Sequence, residues 1–406
     1  MNPQYTELNS CLACGGKDLV LILDLGKQPL ANSYHRLNEK LKDFPLALML
    51  CASCFHSQLS VAVSPDLMFK NYLYVSGTSR TLREYFDWFA DMAMSREGMG
   101  SAPVSVLDIA SNDGSQLGAF RRYTSDLTGV DPAQNLKETA EKTGATIVCD
   151  YWSEEVAQRQ NRMFDIIIAQ NVFAHNANPL GFLNAARRVM HPGSRLYIQT
   201  SQAEMFSRGE FATIYHEHIS FFCANSMRTL AHRGGCVIED VFTVPVHGTS
   251  YVFVLSAKKD TNEDAITMRI KEEKAAGRAS MKLYEQFAET AHRVVKDLAA
   301  SIEKHRSEGY AIVGFGAAAK GNTLLNFGNI ALDYIIDENP LKQKLYTPGM
   351  NILIEPPERL IQEKRPALVI PLAWNFFEEI YKKTKGFRPR TDDRFLLYFP
   401  SLSIRE

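Results

Sequence analysis

The stretch Val104-Ser-Val-Leu-Asp-Ile-Ala-Ser-Asn-Asp-Gly-Ser-Gln-Leu117 decides the fold. Val104, Val106, Leu107 and Ile109 read as a short buried strand. Ala110-Ser-Asn-Asp-Gly114 reads as a tight polar loop, and Ser115 opens a helix. Strand, loop and helix start together make a ligand crevice at the carboxyl edge of a parallel sheet. Asp131 ends the next apolar run, where a carboxylate can hold two ribose hydroxyls. A dinucleotide and S-adenosylmethionine both suit such a crevice. A pyrophosphate needs glycines so that backbone N–H groups can approach it. Here Ala110 and Asn112 stand where glycines are expected, and only Gly114 remains. An adenosyl sulfonium carries no phosphate and tolerates that departure, which favours S-adenosylmethionine. A plain βα turn without a ligand is the third reading.

Strand and helix patterns alternate beyond this point. Residues 146–149 form a short strand with Asp150 at its end, where a carboxylate can meet an adenine amino group. Residues 164–169 form a buried strand followed by Gln170, Asn171 and His175, and residues 195–199 form the next. Residues 236–242 and 251–256 are further β-rich stretches. The alternation predicts a doubly wound, mostly parallel α/β sheet with chemistry on the loops at its carboxyl ends.

Cys11-Leu-Ala-Cys14 and Cys51-Ala-Ser-Cys54 are two C-x2-C knuckles, each able to present two thiolates, so that two complete a tetrahedral zinc site. The long interval between them predicts an inserted hairpin or loop. Four protein ligands leave no open position, so this metal is structural. Cys149, Cys223 and Cys236 stand alone. After the knuckles, residues 68–79 mix aromatics with glycine and hydroxyl side chains. They read equally as a binding loop or as tyrosines packed on the amphipathic helix expected over residues 81–93.

Tyr215-His-Glu-His218 sets four ionisable or polar groups in succession before Phe221 and Phe222. The H-E-x-x-H spacing of a zinc helix is absent. A histidine suits the role of base for a carbon acid beside a ketone, and a neighbouring phenol can donate to the enolate oxygen. Residues 260–308 are charged and periodic, predicting long helices over 270–283 and 287–302 that bridge two domains. A second strand–loop–helix signal follows in Tyr310-Ala-Ile-Val-Gly-Phe-Gly-Ala-Ala-Ala-Lys320, with Asp337 ending the next strand. There Gly314 and Gly316 suit a phosphate approach, and Lys320 with the helix N-terminus can neutralise it. Leu372-Ala-Trp-Asn-Phe-Phe377 is rich enough in aromatics to pack on a base or sugar.

At 406 residues the chain suggests two or three domains. A net charge of −1 argues against nucleic acid or an acidic membrane as partner. No apolar run is long enough to span a bilayer, and the first residues lack a signal peptide pattern, so a cytoplasmic location is expected.

Taken together these motifs resemble the sugar C-methyltransferases that act on nucleotide-linked 4-keto deoxysugars, over nearly the whole chain. The cysteine pairs, the loop at 106–114, Tyr215-His-Glu-His-Ile-Ser-Phe-Phe222, the run 314–323, Tyr346-Thr-Pro-Gly349 and Leu372-Ala-Trp-Asn375 carry the resemblance. It implies a zinc module (1–75), a class I methyltransferase domain (76–259), and a helical bridge with a Rossmann-like nucleotide-sugar domain (260–406). It implies His218 as base, Tyr215 as enolate donor and Glu217 as holder of a sugar hydroxyl, with His216 the competing base. The cofactor set is Asp108, Ala110, Asn112, Gly114, Asp131, Asp150 and Gln170. Tyr74, Asn171 and His175 line the sugar, while Lys320, Gly321, Asn322 and Thr323 face the nucleotide, which is dTDP, GDP or CDP. Three domains in one chain suit a monomer. Two readings stay open: O- or N-methylation of a nucleotide sugar, and a redox or non-enzymatic protein that uses the 314–316 loop for NAD.

Overall fold

The structure is a computed structural model that describes residues 4–69, 75–78, 80–97, 103–201, 204–246 and 248–406. Strands β1 (Tyr5–Glu7), β2 (Leu19–Pro29), β3 (Asp43–Cys51), β4 (Ser57–Leu59) and β5 (Val61–Val63) build the amino-terminal module. The interval between the cysteine pairs is the antiparallel β2–β3 hairpin, which alternates inward leucines (Leu23, Leu25, Leu46, Leu48) with more exposed neighbours. β1 pairs with β5.

Next come β6 (Val106–Ile109), β7 (Leu127–Val130), β8 (Thr146–Val148), β9 (Phe164–Gln170) and β10 (Met190–Thr200). β11 (Ser220–Phe221) then leaves to pair with β4, so the Tyr215–Phe222 segment completes the sheet of the amino-terminal module. β12 (Val237–Val244) and β13 (Ser250–Ser256) return to the large sheet, whose order is β12-β13-β10-β9-β6-β7-β8. All its pairings are parallel except those of β13, inserted antiparallel between β10 and β12. This is the class I methyltransferase arrangement. Its strands read as continuous Val/Ile/Leu runs because helices cover both faces. Val106, Ile166, Ile168, Tyr197 and Val254 pack under the helix Arg80–Glu97. Leu107, Ile167, Leu196 and Phe253 pack on the opposite face with Phe182 and Leu230.

Residues 270–283 are not one helix. The helix Asp264–Ala275 ends before Gly277, which adopts φ +74°, and a new helix runs Met281–Ser307. Glycine there permits the left-handed turn that stops the first helix. The second helix is more than a bridge. Phe287, Ala291, Val294, Leu298 and Ile302 recur at three- and four-residue spacing and join one core with Leu23 and Leu48 of the hairpin and Ile312 and Ile370 of the last sheet. Each such buried Phe, Leu or Ile stabilises by about 1.5–3 kcal/mol.

That last sheet comprises β14 (Ala311–Phe315), β15 (Tyr334–Ile336), β16 (Ile354–Glu355), β17 (Ala367–Pro371), β18 (Arg394–Leu397) and β19 (Ser403–Arg405). Its order is β16-β15-β14-β17-β18-β19, parallel except for β19. The strand order 3-2-1-4-5 therefore occurs twice, with switch points between β6 and β9 and between β14 and β17. Among the described residues no helix is long and apolar enough to cross a membrane.

Candidate functional site

The loop after β6 turns through three left-handed residues, Ala110 (φ +64°), Asn112 (φ +51°) and Gly114 (φ +76°). Ala110 and Asn112 thus adopt the conformation glycine usually supplies. Asp131 accepts the Asn112 N–H (2.8 Å) and the Ala133 N–H (2.8 Å), one on each carboxylate oxygen, which leaves further lone pairs for ribose hydroxyls. Asp108 is buried, and burial followed by the Asp131 and Asp113 charges pushes its carboxyl well above the usual range. Burial also raises Asp131. Three neighbouring acids repel a pyrophosphate and favour a ligand bearing an ammonium and a sulfonium. At the end of β9, both polar atoms of the Gln170 carboxamide and Asn171 Oδ1 are buried without a partner among the described residues, as suits a ligand-facing wall. These features fit S-adenosylmethionine.

Two members of the expected cofactor set behave differently. A Cβ on Gly114 would lie 2.9 Å from Ala140 Cα, so this glycine serves the packing of the loop on the helix Lys137–Glu141. Asp150 lies beyond β8 with its carboxylate on Arg159 and the backbone N–H of Tyr151.

The Tyr215–His218 turn sits across from the β9 edge, tied to it by the Ile219 N–H to Ala174 O bond (2.9 Å). His218 Nδ1 lies 2.8 Å from the Thr213 carbonyl, and its Nε2 lies 2.9 Å from the Tyr215 hydroxyl. A carbonyl only accepts, so Nδ1 carries a proton, and in the neutral tautomer that this fixes Nε2 is the acceptor facing the Tyr215 hydroxyl. The His175 ring lies tilted 5.1 Å from His218 and stacks 5.9 Å from Phe69, and burial lowers its pKa to about 4, which keeps it neutral. His216 faces the other way. It is 1% exposed, its Nε2 lies 3.2 Å from Pro45 O, and its ring meets the edge of Phe44 in the amino-terminal module. Burial lowers its pKa as well.

Glu217 points into a junction of all three units. It accepts from Asn32 Nδ2 at 2.6 Å, and Asn32 follows strand β2. Nearby, Asn322 Nδ2 donates to Ala31 O (2.7 Å), and Tyr34 Oη donates to Ala317 O (2.5 Å). Asn322 Oδ1 is buried without a partner. Lys320 Nζ lies 5.3 Å over the Trp374 ring, and burial lowers its pKa, opposed by the charge of Glu210. Asn322 therefore faces this junction and Lys320 lies against Trp374, whereas Gly321 and Thr323 turn elsewhere. A Cβ on Gly321 would lie 2.6 Å from Leu372 Cβ, and the Thr323 hydroxyl turns back to Ala319 O (3.4 Å). Tyr74 lies outside the described residues.

The expected phosphate approach at Gly314 and Gly316 is already filled. Gly314 lies within β14 and would set a Cβ 2.7 Å from Ile335. The Gly316 N–H binds Ile336 O (2.8 Å), and the Ala317 N–H binds Asp337 Oδ2 (2.7 Å). A carboxylate therefore holds the loop after β14, as Asp131 holds the loop after β6. Asn32 and Tyr34 carried no motif, and only the fold brings them here.

The four cysteines of the knuckles gather with their sulfurs all within 4.8 Å of one another. Cys11 and Cys54 are 3.5 Å apart, and Cys14 and Cys51 are 3.6 Å apart. Metal–sulfur bonds of about 2.3 Å in a tetrahedron set sulfurs about 3.8 Å apart. The Cys14 and Gly16 N–H groups point at Cys11 Sγ (3.4 Å) and Cys14 Sγ (3.3 Å), as a thiolate knuckle requires. The donor set fits a closed structural zinc site, with no coordination position left for chemistry.

Comparison with known proteins follows the same three units. Residues 11–69 match the family described as "Putative zinc binding domain", residues 78–241 a "Methyltransferase domain", and residues 245–400 a "C-methyltransferase C-terminal domain". The chain is 29% identical over 406 residues to C-methyltransferase NovU of Streptomyces niveus, covering 97% of this chain and 96% of that one. A ubiquinone biosynthesis O-methyltransferase of Roseobacter denitrificans is 28% identical over 92 residues, 22% of this chain and 37% of the relative. The solved magnesium protoporphyrin IX methyltransferase of Synechocystis PCC 6803 overlaps 43% of this chain and 78% of its own, at 12% identity and a TM-score of 0.33, too slight a likeness to carry an argument. The three matched segments thus lie in order along the chain, and one C-methyltransferase aligns with it from end to end.

Proposed function

We propose that the chain methylates C3 of a nucleotide-linked 4-keto-6-deoxy sugar, with dTDP, GDP or CDP as the nucleotide. The observation that carries this reading is His218, its Nδ1 proton fixed on Thr213 O and its Nε2 turned to the Tyr215 hydroxyl. A C4 ketone acidifies the C3 hydrogen. His218 Nε2 takes that proton, the C3–H electron pair becomes the C3–C4 double bond, and the carbonyl pair moves onto oxygen. The Tyr215 hydroxyl turns from Nε2 to donate to that oxygen. S-adenosylmethionine, when bound, supplies the electrophilic methyl that C3 captures as the carbon–sulfur bond breaks. His218 then returns its proton to solvent.

The remaining residues orient. Glu217, steadied by Asn32, accepts from a sugar hydroxyl. Asn171 and the neutral His175 border the ring, with Tyr74 from beyond the described residues. Lys320 and Asn322 meet the nucleotide end. Asp108, Asn112 and Asp131 hold the cofactor, with Asp150 at its adenine, and Ala110 and Gly114 shape the loop. The functional division is residues 1–75, 76–259 and 260–406.

The test is incubation of the whole chain with S-adenosylmethionine and 4-keto-6-deoxyhexoses linked to dTDP, GDP and CDP, with product mass and NMR read out. A methyl on carbon at C3 with one nucleotide supports the reading. A methyl on oxygen or nitrogen replaces it with heteroatom methylation.

A further inference from the structure

The large sheet carries a polar side chain at or just beyond the carboxyl end of five successive strands: Asp150 after β8, Asp131 after β7, Asp108 in β6, Gln170 in β9 and Gln199 in β10. Strands lie about 4.8 Å apart, so the row is about 19 Å long. The pairing aligns its last members. Asp108 is opposite Ile168, so Gln170 lies two residues further out, and Gln170 is directly opposite Gln199. Side chains two apart share a face, so Asp108, Gln170 and Gln199 point to the same side of the sheet. Gln199 is 0% exposed, and among the described residues neither its Nε2 nor its Oε1 has a hydrogen-bond partner; the same holds for both atoms of Gln170. A buried carboxamide left unpaired costs about 1–3 kcal/mol per polar group, so such a pair is expected to have a partner beyond the described residues, which a bound ligand supplies.

Charge says which part of the ligand that partner is. With adenine at Asp150 and ribose at Asp131, the amino-acid end of S-adenosylmethionine runs on along the row past β6. Its ammonium belongs beside Asp108. Once that ammonium draws Asp108 into its ionised form, the α-carboxylate is repelled by Asp108 and Asp113 and needs neutral donors. Gln116, two residues beyond Gly114, carries a third unpartnered carboxamide near the loop. Among these amides Gln199 lies farthest along the row from Asp131, on the far side of Gln170 from Asp108.

We propose that Gln199 is a further cofactor-binding residue, its Nε2 donating to the α-carboxylate of S-adenosylmethionine alongside Gln170. The proposal rests on the cofactor reading above. Because the product S-adenosylhomocysteine keeps that carboxylate, Gln199 holds substrate and product alike and does not touch the sugar.

The test is calorimetric titration of the zinc-loaded wild type, Gln199→Glu and Gln199→Leu with S-adenosylhomocysteine and with 5′-methylthioadenosine, which lacks the amino-acid end. Gln199→Glu keeps the size and shape of the side chain and places a carboxylate against a carboxylate. S-adenosylhomocysteine should bind at least tenfold more weakly to Gln199→Glu and severalfold more weakly to Gln199→Leu, while 5′-methylthioadenosine stays within about twofold of wild type. Equal losses for both ligands, or none for either, overturn the assignment while the cofactor reading stands. A wild type that binds neither ligand overturns both.

Discussion

Two substitutions in one loop should move stability in opposite directions. Ala110 holds φ +64°, which costs an L residue about 1–2 kcal/mol. Ala110→Gly releases that strain but loosens the unfolded chain by about 0.4–1 kcal/mol, for a net gain of about 0.5–1 kcal/mol. In a domain of this size that raises Tm by about 1–4 °C. Gly114→Ala does the reverse. It places a Cβ at φ +76° and 2.9 Å from Ala140 Cα, against backbone that cannot swing aside. Strain of about 1–2 kcal/mol adds to overpacking of about 1–3 kcal/mol, with only the unfolded-state term to offset it. The expected loss is about 2–4 kcal/mol. Differential scanning calorimetry of the zinc-loaded chain, without cofactor, measures both. An Ala110→Gly variant that melts lower than wild type, or a Gly114→Ala variant that melts with it, would refute the left-handed reading of this loop.

Further expectations come from other parts of the molecule. Asp108→Asn should stabilise the cofactor-free chain at pH 8 and weaken S-adenosylmethionine binding. A carboxyl raised by burial contributes stability below the ordinary carboxylate range and loses it as pH rises through the raised value, so the thermal gain of the variant should shrink towards pH 5. Cys54→Ser should reduce metal from about one zinc per chain, read by elemental mass spectrometry, and lower turnover through the β4–β11 pairing. Asn32→Ala should leave S-adenosylmethionine affinity within about twofold but lower kcat, because Glu217 loses its 2.6 Å partner; titration and steady-state rates separate the two effects. His216→Asn should keep most of the activity, since that ring faces Pro45 and Phe44.

The periodic parts of the architecture were legible in the residues. Apolar runs such as Phe164-Asp-Ile-Ile-Ile-Ala169 and the two cysteine pairs specify strands and metal ligands by local chemistry. The helix over 270–283 was misread because apolar spacing continues past Gly277, where backbone conformation overrides pattern. Gly314, Gly316 and Gly321 had the composition of a phosphate loop, but neighbours far away in sequence decide their use: Ile335 and Leu372 fill the space, and Asp337 takes the Ala317 N–H. Asn32 and Tyr34 could not be found locally, because their partners Glu217 and Ala317 lie 185 and 283 residues away. Gln199 did leave a trace, the polar residue that closes the apolar run Leu196-Tyr-Ile198.

The central claim is that His218 removes a carbon-bound proton next to a ketone. Its most direct measurement is deuterium uptake at C3 of the nucleotide-linked 4-keto-6-deoxy sugar in D2O, with S-adenosylhomocysteine in place of the methyl donor, by NMR. Wild type and His216→Asn should exchange the C3 hydrogen, and His218→Asn should slow that exchange at least a hundredfold while binding S-adenosylhomocysteine normally. Exchange that persists in His218→Asn and vanishes in His216→Asn would contradict the claim.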